Sequence, residues 1–291
     1  MGLNEWYGAG TRAEVAGLEV FYRREGEGEA LVCLHGFPTS SWDFEPICEP
    51  LVARFDAIAS DLIGLGRSAK PDRALTVALQ ADVILALLGA LGLSRAHILA
   101  HDLGDTVAQE LLARQQEGAS PVEWLSCVFL NGGLFPESHR PRLIQRLLAS
   151  PLGPLIAAFS SEGTFRRNFR EICSARHPPS EEFLRDSWRL LIENRGRSML
   201  PRLLRYMEER RQQRPRWVGA LERGDLPLRL INGALDPISG RHIAERYREL
   251  VPAADIVLLE DAGHYPHVEL PAAVLGAFFD FHDALAAGDP A

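Results

Sequence analysis

Three residues of this sequence, Asp102, Asp236 and His264, have the types and the order that covalent catalysis by a carboxylate requires. Asp102 stands in A-H-D-L-G, where an apolar stretch runs into a turn of small residues and then into a helical pattern. The other two stand in I-N-G-A-L-D-P and E-D-A-G-H-Y-P, each after a further strand-like run. The order nucleophile, acid, histidine predicts that Asp236 orients His264, and that His264 activates the water which releases the product from Asp102.

The type of the nucleophile indicates reaction at an sp³ carbon. A serine that attacked such a carbon would form an ether, which water does not cleave under mild conditions. A carboxylate forms an alkyl ester instead, and water can cleave that ester at the carboxyl carbon of the enzyme. Because a carboxylate that attacked an acyl group would form an anhydride, Asp102 favours an epoxide or an alkyl halide over an ordinary ester.

A pair of backbone amides is predicted to stabilise the intermediate. L-H-G-F-P follows an early strand-like run, and Leu103 directly follows the nucleophile. The N–H groups of Phe37 and Leu103, brought together, would form an oxyanion hole with two donors.

The elements that must position these residues alternate between short apolar strands and helices. This alternation predicts an α/β fold with a mostly parallel, doubly wound sheet. The predicted strands cover residues 18–23, 30–34, 56–61, 97–101, 124–131, 227–233 and 255–260, and the predicted core helices cover residues 76–91, 106–115 and 271–286.

The chain is predicted to divide into a core and an inserted cap. Residues 133–221 are rich in Arg, Leu and Glu and form the predicted helical cap, with helices at 141–149, 180–194 and 198–211. Residues 1–132 and 222–291 form the predicted α/β core.

Charge, cysteine content and hydropathy argue against a nucleic-acid-binding, disulfide-bonded or membrane-spanning protein. The chain has 291 residues and a net charge of −8, and its basic residues alternate with Glu, which is typical of solvated helix faces and not of a nucleic-acid site. Its four cysteines form no C-x-x-C pair, which favours free thiols in a reducing compartment. No apolar run approaches the ~18 residues of a membrane span. We therefore expect a cytoplasmic protein without a membrane span, cofactor or metal; monomer and homodimer both stay open.

The quoted motifs resemble the epoxide hydrolases of the α/β-hydrolase superfamily. The resemblance rests on H-G-F-P, A-H-D-L-G, the late Asp and the G-H pair, and it covers nearly the whole chain in motif order. A-H-D-L-G-D-T-V-A-Q-E-L-L, N-G-G-L-F-P-E-S-H-R-P and R-W-V-G-A-L are more closely similar to mesoderm-specific transcript-type proteins of the same superfamily. The epoxide hydrolase resemblance implies that an apolar epoxide and water are the substrates and a vicinal diol is the product.

The same resemblance implies two cap tyrosines that bind the epoxide oxygen. Only Tyr206 lies in the predicted cap, so it is the candidate donor; the alternative is that its ring packs under the cap. Tyr265, His139 and Trp188 are open as a second donor.

An apolar pocket between cap and core would suit hydrophobic epoxides. Its predicted substrate-binding residues are Trp42, Phe135, Trp188 and Tyr265.

Two other functions remain open. Haloalkane dehalogenases share the Asp, His and acid, but they usually carry Trp where this chain has Leu103, and many carry Asn where it has Phe37. A non-catalytic binding protein on a hydrolase scaffold is the second alternative, because a fold does not establish an activity.

Overall fold

The computed structural model describes residues 1–288. Within these residues, eight strands form a single sheet. Its strands are β1 (Thr11–Val15), β2 (Leu18–Glu25), β3 (Ala30–Leu34), β4 (Asp56–Ser60), β5 (Arg95–His101), β6 (Glu123–Leu130), β7 (Leu228–Gly233) and β8 (Asp255–Leu259). The spatial order is β1-β2-β4-β3-β5-β6-β7-β8. The pairs β1–β2 and β2–β4 are antiparallel and the other neighbours are parallel. The predicted mostly parallel sheet is confirmed.

Helices connect and cover these strands. They are α1 (Leu3–Gly8), α2 (Glu45–Val52), α3 (Val77–Ala90), α4 (Leu103–Gln116), α5 (Leu143–Leu148), α6 (Gly153–Ala158), α7 (Glu162–Arg170), α8 (Glu181–Ile192), α9 (Leu200–Leu203), α10 (Tyr206–Gln212), α11 (Arg214–Glu222), α12 (Arg241–Leu250), α13 (Pro266–Glu269) and α14 (Pro271–Ala287), with 3-10 helices at Ser41–Phe44 and Glu193–Met199. None of these helices is both long enough and apolar enough to cross a membrane.

The sheet separates two hydrophobic cores. In β3, Leu31 and Cys33 belong to one core, and Val32 and Leu34 belong to the other. Successive side chains of a strand point to opposite faces, so a strand covered on both faces is apolar throughout. This explains why the central strands could be predicted from unbroken apolar runs.

The segment between β6 and β7 is helical throughout its regular elements, from α5 to α11. The single helix predicted at residues 198–211 is wrong: a 3-10 helix and two short α-helices occupy this part of the chain. Pro201 lies in the first turn of α9 and has no N–H to donate to the preceding 3-10 helix, and residues 204–205 form a turn between α9 and α10, so no continuous helix forms. The boundaries 133–221 remain a prediction, and positions 289–291 of the predicted core lie outside the described residues.

The predicted site residues all lie at one edge of the sheet. Because β3, β5, β7 and β8 belong to the parallel part, their carboxyl ends share an edge. Phe37 follows β3, Asp102 follows β5, Asp236 follows β7 and His264 follows β8. Ligands of open α/β sheets bind at this edge.

Candidate active site

Asp102 occupies a sharp turn between β5 and α4. Its backbone has φ 48° and ψ −100°, a conformation that residues with side chains rarely adopt. Gly104 is needed beside it, because a Cβ there would lie 2.1 Å from the carbonyl oxygen of Leu34. Such strain is characteristic of functional sites and lifts the side chain out of the line of the strand.

The amide of Phe37 binds the carboxylate of Asp102. The Phe37 N–H donates to Asp102 Oδ2 over 3.0 Å. His35 holds this loop in place, because its Nδ1–H donates to the carbonyl oxygen of Gly36 over 2.8 Å and its Nε2 accepts from the Leu62 N–H over 2.9 Å. Leu103 is the first residue of α4, where backbone N–H groups have no partner inside the helix.

Asp236 and His264 form a buried pair. His264 Nδ1 lies 2.8 Å from Asp236 Oδ2. The same oxygen accepts from Ser239 Oγ over 2.7 Å and from Asn131 Nδ2 over 3.1 Å, while Oδ1 accepts from the Ile238 N–H over 2.7 Å. Burial favours the neutral acid, but His264 and these donors outweigh it and lower the pKa of Asp236. Asp236 is therefore an anion that holds the imidazole with Nε2 free for chemistry.

The charge state of His264 is coupled to both carboxylates. Burial lowers its pKa, but Asp236 and, to a smaller extent, Asp102 more than offset the burial and raise the pKa to about 9. The imidazole is therefore protonated at neutral pH in the free enzyme. If Asp102 became a neutral ester, one of the charges that stabilise the imidazolium would be lost.

Glu269 fixes the loop that carries His264. Its carboxylate accepts three backbone N–H groups: those of Gly263 and Ser174 over 2.7 Å and that of Tyr265 over 2.9 Å. Ser174 lies in the predicted cap, so the same carboxylate also joins that segment to the loop. The sequence analysis did not single out Glu269, although its place five residues after the histidine in H-Y-P-H-V-E is a usable signal.

Arg210 of α10 reaches from the predicted cap to the nucleophile turn. It is 2% exposed, its Nη2 donates to the carbonyl oxygen of Asp102 over 3.0 Å, and its Nε donates to Thr106 Oγ1 over 2.6 Å. Its guanidinium also lies 4.6 Å from the ring centroid of Tyr206. The sequence analysis missed Arg210, because nothing in its local sequence separates it from its exposed neighbours.

Tyr206 is fully enclosed near Asp102. It is 1% exposed, and its hydroxyl has no hydrogen-bond partner among the described residues. Burial and then the charge of Asp102 raise the pKa of this phenol. An enclosed hydroxyl that stays protonated and lacks a partner has a proton left to donate, although Tyr206 is not among the residues that line the neighbouring cavity.

A cavity of about 480 Å³ adjoins the site. Phe37, His264 and Trp188 lie in its wall. The whole set of lining residues is Phe37, Pro38, Arg142, Ile144, Gln145, Leu148, Leu155, Ile156, Phe159, Ser160, Thr164, Phe165, Asn168, Phe169, Ile172, Trp188, Leu191, Leu200, Ile238 and His264. Most of these side chains are apolar, and they suit an apolar ligand.

The other predicted pocket residues, Trp42, Phe135 and Tyr265, are not among the residues that line this cavity. Trp42 stacks on Phe183 at 5.2 Å between ring centroids, and Phe135 packs edge-on against Tyr247 at 6.3 Å. Tyr265 stacks at 4.4 Å on Phe169, which does line the cavity.

A second buried group lies beside the pair. Asp43, His101 and His267 place ligand atoms within 4.8 Å of one another, which makes them a candidate metal-binding group. Burial raises the pKa of Asp43, and burial lowers that of His267 to about 3, so the His267 imidazole is neutral at pH 7. His101 Nε2 donates to the carbonyl oxygen of His264 over 2.8 Å. His101 therefore supports the histidine loop, and the sequence spacing of the three residues did not reveal this group.

Comparison with known proteins agrees with this geometry. A family model described as the alpha/beta hydrolase family matches residues 31–277. The mesoderm-specific transcript homolog protein of Homo sapiens is 38% identical over 292 residues, covering 96% of this chain and 87% of that protein. These findings confirm the resemblance predicted from the motifs.

Solved structures show the same fold. Epoxide hydrolase CorEH without ligand has a TM-score of 0.78 at 20% identity, covering 95% of this chain and 99% of that one. The haloalkane dehalogenase DbeA-M1 loop variant from Bradyrhizobium elkanii has a TM-score of 0.78 at 23% identity, covering 96% and 98%. The turn at Asp102, the pair of Asp236 and His264 and the family match together establish that this chain belongs to the α/β hydrolase family.

Proposed function

We propose that this hydrolase opens apolar epoxides to vicinal diols through an ester on Asp102. The observation that carries the proposal is the carboxylate of Asp102 at the strained turn, bound by the Phe37 N–H over 3.0 Å. A carboxylate at this position can form an alkyl ester that water can remove. The apolar cavity wall beside His264 supports a hydrophobic substrate.

In the first step, a carboxylate oxygen of Asp102 attacks a ring carbon of the epoxide. The new C–O bond forms as the ring C–O bond breaks, and the ring oxygen takes the proton of the Tyr206 hydroxyl. This step leaves a hydroxyalkyl ester on Asp102 and a phenolate on Tyr206. The unpartnered hydroxyl of Tyr206 and its electrostatic coupling to Asp102 support this role.

In the second step, neutral His264 takes a proton from water, and the resulting hydroxide attacks Cγ of Asp102. The negative charge that develops on the carboxyl oxygen is stabilised by the Phe37 N–H and by the free amides at the start of α4. When the intermediate collapses, the leaving alkoxide takes the proton from His264. The remaining proton of the attacking water leaves Asp102 and restores Tyr206, so one epoxide and one water give one diol.

Esterification prepares His264 for its role as a base. The negative charge of Asp102 helps to raise the pKa of His264 in the free enzyme, and the ester carries no charge. The pKa of His264 therefore falls once the ester forms, which favours release of the imidazolium proton to solvent and so the neutral imidazole that acts as the base.

Trapping the ester tests this proposal. His264→Gln incubated with a panel of terminal and aryl epoxides should gain the mass of the epoxide on the peptide that contains Asp102. Asp102→Ala with His264→Gln is the matched control and should gain no mass. Release of halide from haloalkanes with no epoxide adduct would instead identify a dehalogenase, and no adduct or turnover with either panel would indicate a binding protein.

A further inference from the structure

Exposed large apolar side chains are concentrated on two neighbouring helices. Five of the eight exposed large hydrophobic residues of the described chain fall between positions 143 and 159. They are Leu143 (70% exposed), Leu147 (39%), Leu152 (62%), Leu155 (58%) and Phe159 (81%), and we call them the α5–α6 surface. A grouping of this kind marks an interaction site, whereas single exposed hydrophobic residues do not.

The α5–α6 surface is continuous with the mouth of the cavity. Leu155 and Phe159 are exposed and also line the cavity. Ile144, Leu148 and Ile156, from the same two helices, line it as well. A molecule dissolved in an apolar phase against this surface would therefore meet the cavity without first crossing water.

The basic charge of the segment that carries the α5–α6 surface indicates an anionic partner. Residues 138–161 contain Arg140, Arg142 and Arg146 and no Asp or Glu, although the whole chain has a net charge of −8. Arg142 pairs with Glu171 outside this segment, whereas Arg140 and Arg146 are exposed. Leu and Phe side chains bordered by arginines are the combination that inserts below lipid headgroups and attracts anionic lipids.

We propose that the α5–α6 surface docks on an anionic phospholipid bilayer and that apolar substrate enters the cavity from the lipid. In a symmetric dimer through this surface, the arginines of one copy would face those of the other and repel them. Lipid phosphates and carboxylates neutralise the same arginines. The docking does not depend on the reaction being epoxide opening, because it is a property of the surface.

Vesicle sedimentation tests the docking. Wild-type protein should bind phosphatidylcholine vesicles that contain about 30% phosphatidylserine more tightly than pure phosphatidylcholine vesicles. Raising NaCl from about 0.1 M to about 0.5 M should weaken the binding. Equal binding to both vesicles, or no binding to either, would overturn the proposal.

Variants outside the cavity wall separate docking from catalysis. The triple variant Leu143→Ser, Leu147→Ser, Leu152→Ser should lose about tenfold or more in vesicle partitioning, because three inserting side chains are removed. Its melting temperature and its alkylation by a water-soluble epoxide should match those of the wild type. Leu235→Ser, which removes a 52% exposed leucine elsewhere, is the control and should bind vesicles normally.

The outcomes distinguish this inference from the proposed reaction. Unchanged vesicle binding by the folded triple variant would overturn the docking and leave the chemistry of Asp102 untouched. A lipid-free wild-type dimer that the triple variant converts to a monomer in light scattering would also overturn it, since the surface would then be a contact between two copies. Vesicle binding without any epoxide adduct would support the docking and refute the reaction.

Discussion

Arg210 donates through Nη2 to the backbone carbonyl oxygen of Asp102 over 3.0 Å, so a residue of the predicted cap helps to hold the nucleophile turn. The two residues are 108 positions apart in the sequence. Asp102 is held in an unfavourable backbone conformation, with φ 48°, and such a conformation persists only when its surroundings enforce it. The bond from Arg210 is one such restraint.

Removal of the Arg210 side chain should lower both the free energy of unfolding and the rate of alkylation of Asp102. Arg210→Ala breaks two buried hydrogen bonds from a charged donor, so the free energy of unfolding should fall by about 2 kcal/mol or more. Single-turnover alkylation of Asp102 should also slow. Arg211→Ala removes the exposed neighbour that pairs with Glu208, and it should change unfolding by less than about 0.5 kcal/mol. Urea denaturation measures both variants, and equal stabilities would contradict the role of Arg210.

Glu269 should affect the second chemical step alone. Glu269→Gln replaces one acceptor oxygen by an N–H donor that meets a backbone N–H, so unfolding should become easier by about 1–3 kcal/mol. Because His264 moves with this loop, hydrolysis of the ester on Asp102 should slow, while its formation should not. The matched control is Glu260→Gln, a surface residue paired with Arg241, which should leave both steps unchanged. Slowing of both steps by the same factor would point to a general loss of structure.

The elements that could be predicted from the sequence are those whose own apolar pattern indicates their structure. Central strands such as β3 are apolar throughout because both faces are covered, and each triad candidate stands at the end of such a strand. β1 was not predicted, because this antiparallel edge strand is mostly exposed and its pairing with β2 sets its conformation.

The contacts of the site were less predictable than its strand ends. Arg210 binds the backbone of Asp102, which lies 108 positions away in the sequence. Glu269 binds the backbone of Ser174, which lies 95 positions away. Such partners depend on how the helices pack. The pair of Asp236 and His264 could be foreseen because fold order alone brings two adjacent strand ends together.

The coupling of His264 to Asp102 can be measured directly. The pKa of His264 is raised to about 9 in part by the charge of Asp102, so Asp102→Asn, which is neutral and of similar shape, should lower that pKa. NMR titration of the imidazole in the two proteins gives the comparison. Identical titration curves would show that the charge of Asp102 has no electrostatic effect on His264, and they would contradict the proposed fall in the pKa of His264 on esterification.

The same pKa has a consequence for stability. Because the folded pKa of about 9 lies above the ordinary value of 6.5, the pair of Asp236 and His264 stabilises the fold fully below pH 6.5. This contribution is lost as the pH rises from 6.5 through about 9. The advantage of wild type over His264→Gln in urea should therefore shrink across this range. A constant difference would mean that His264 is not protonated in the folded protein.

Tyr206 should be needed for ester formation and dispensable for ester hydrolysis. Tyr206→Phe keeps the ring and removes a hydroxyl that has no partner among the described residues, so the folded protein should be nearly as stable as wild type. Ring opening then lacks its proton donor, and single-turnover alkylation should slow by roughly 10²-fold, the lower end of general-acid effects.

Tyr247→Phe is the matched control for this experiment. Its hydroxyl is also buried and unpartnered within the described chain, but its ring packs against Phe135. Tyr247→Phe should alkylate at the wild-type rate, because its hydroxyl takes no part in the proposed reaction. If Tyr206→Phe also alkylated at that rate, Tyr206 would serve only as packing under Arg210. The proton donor would then have to be Trp188 in the cavity wall, Tyr265 or His139.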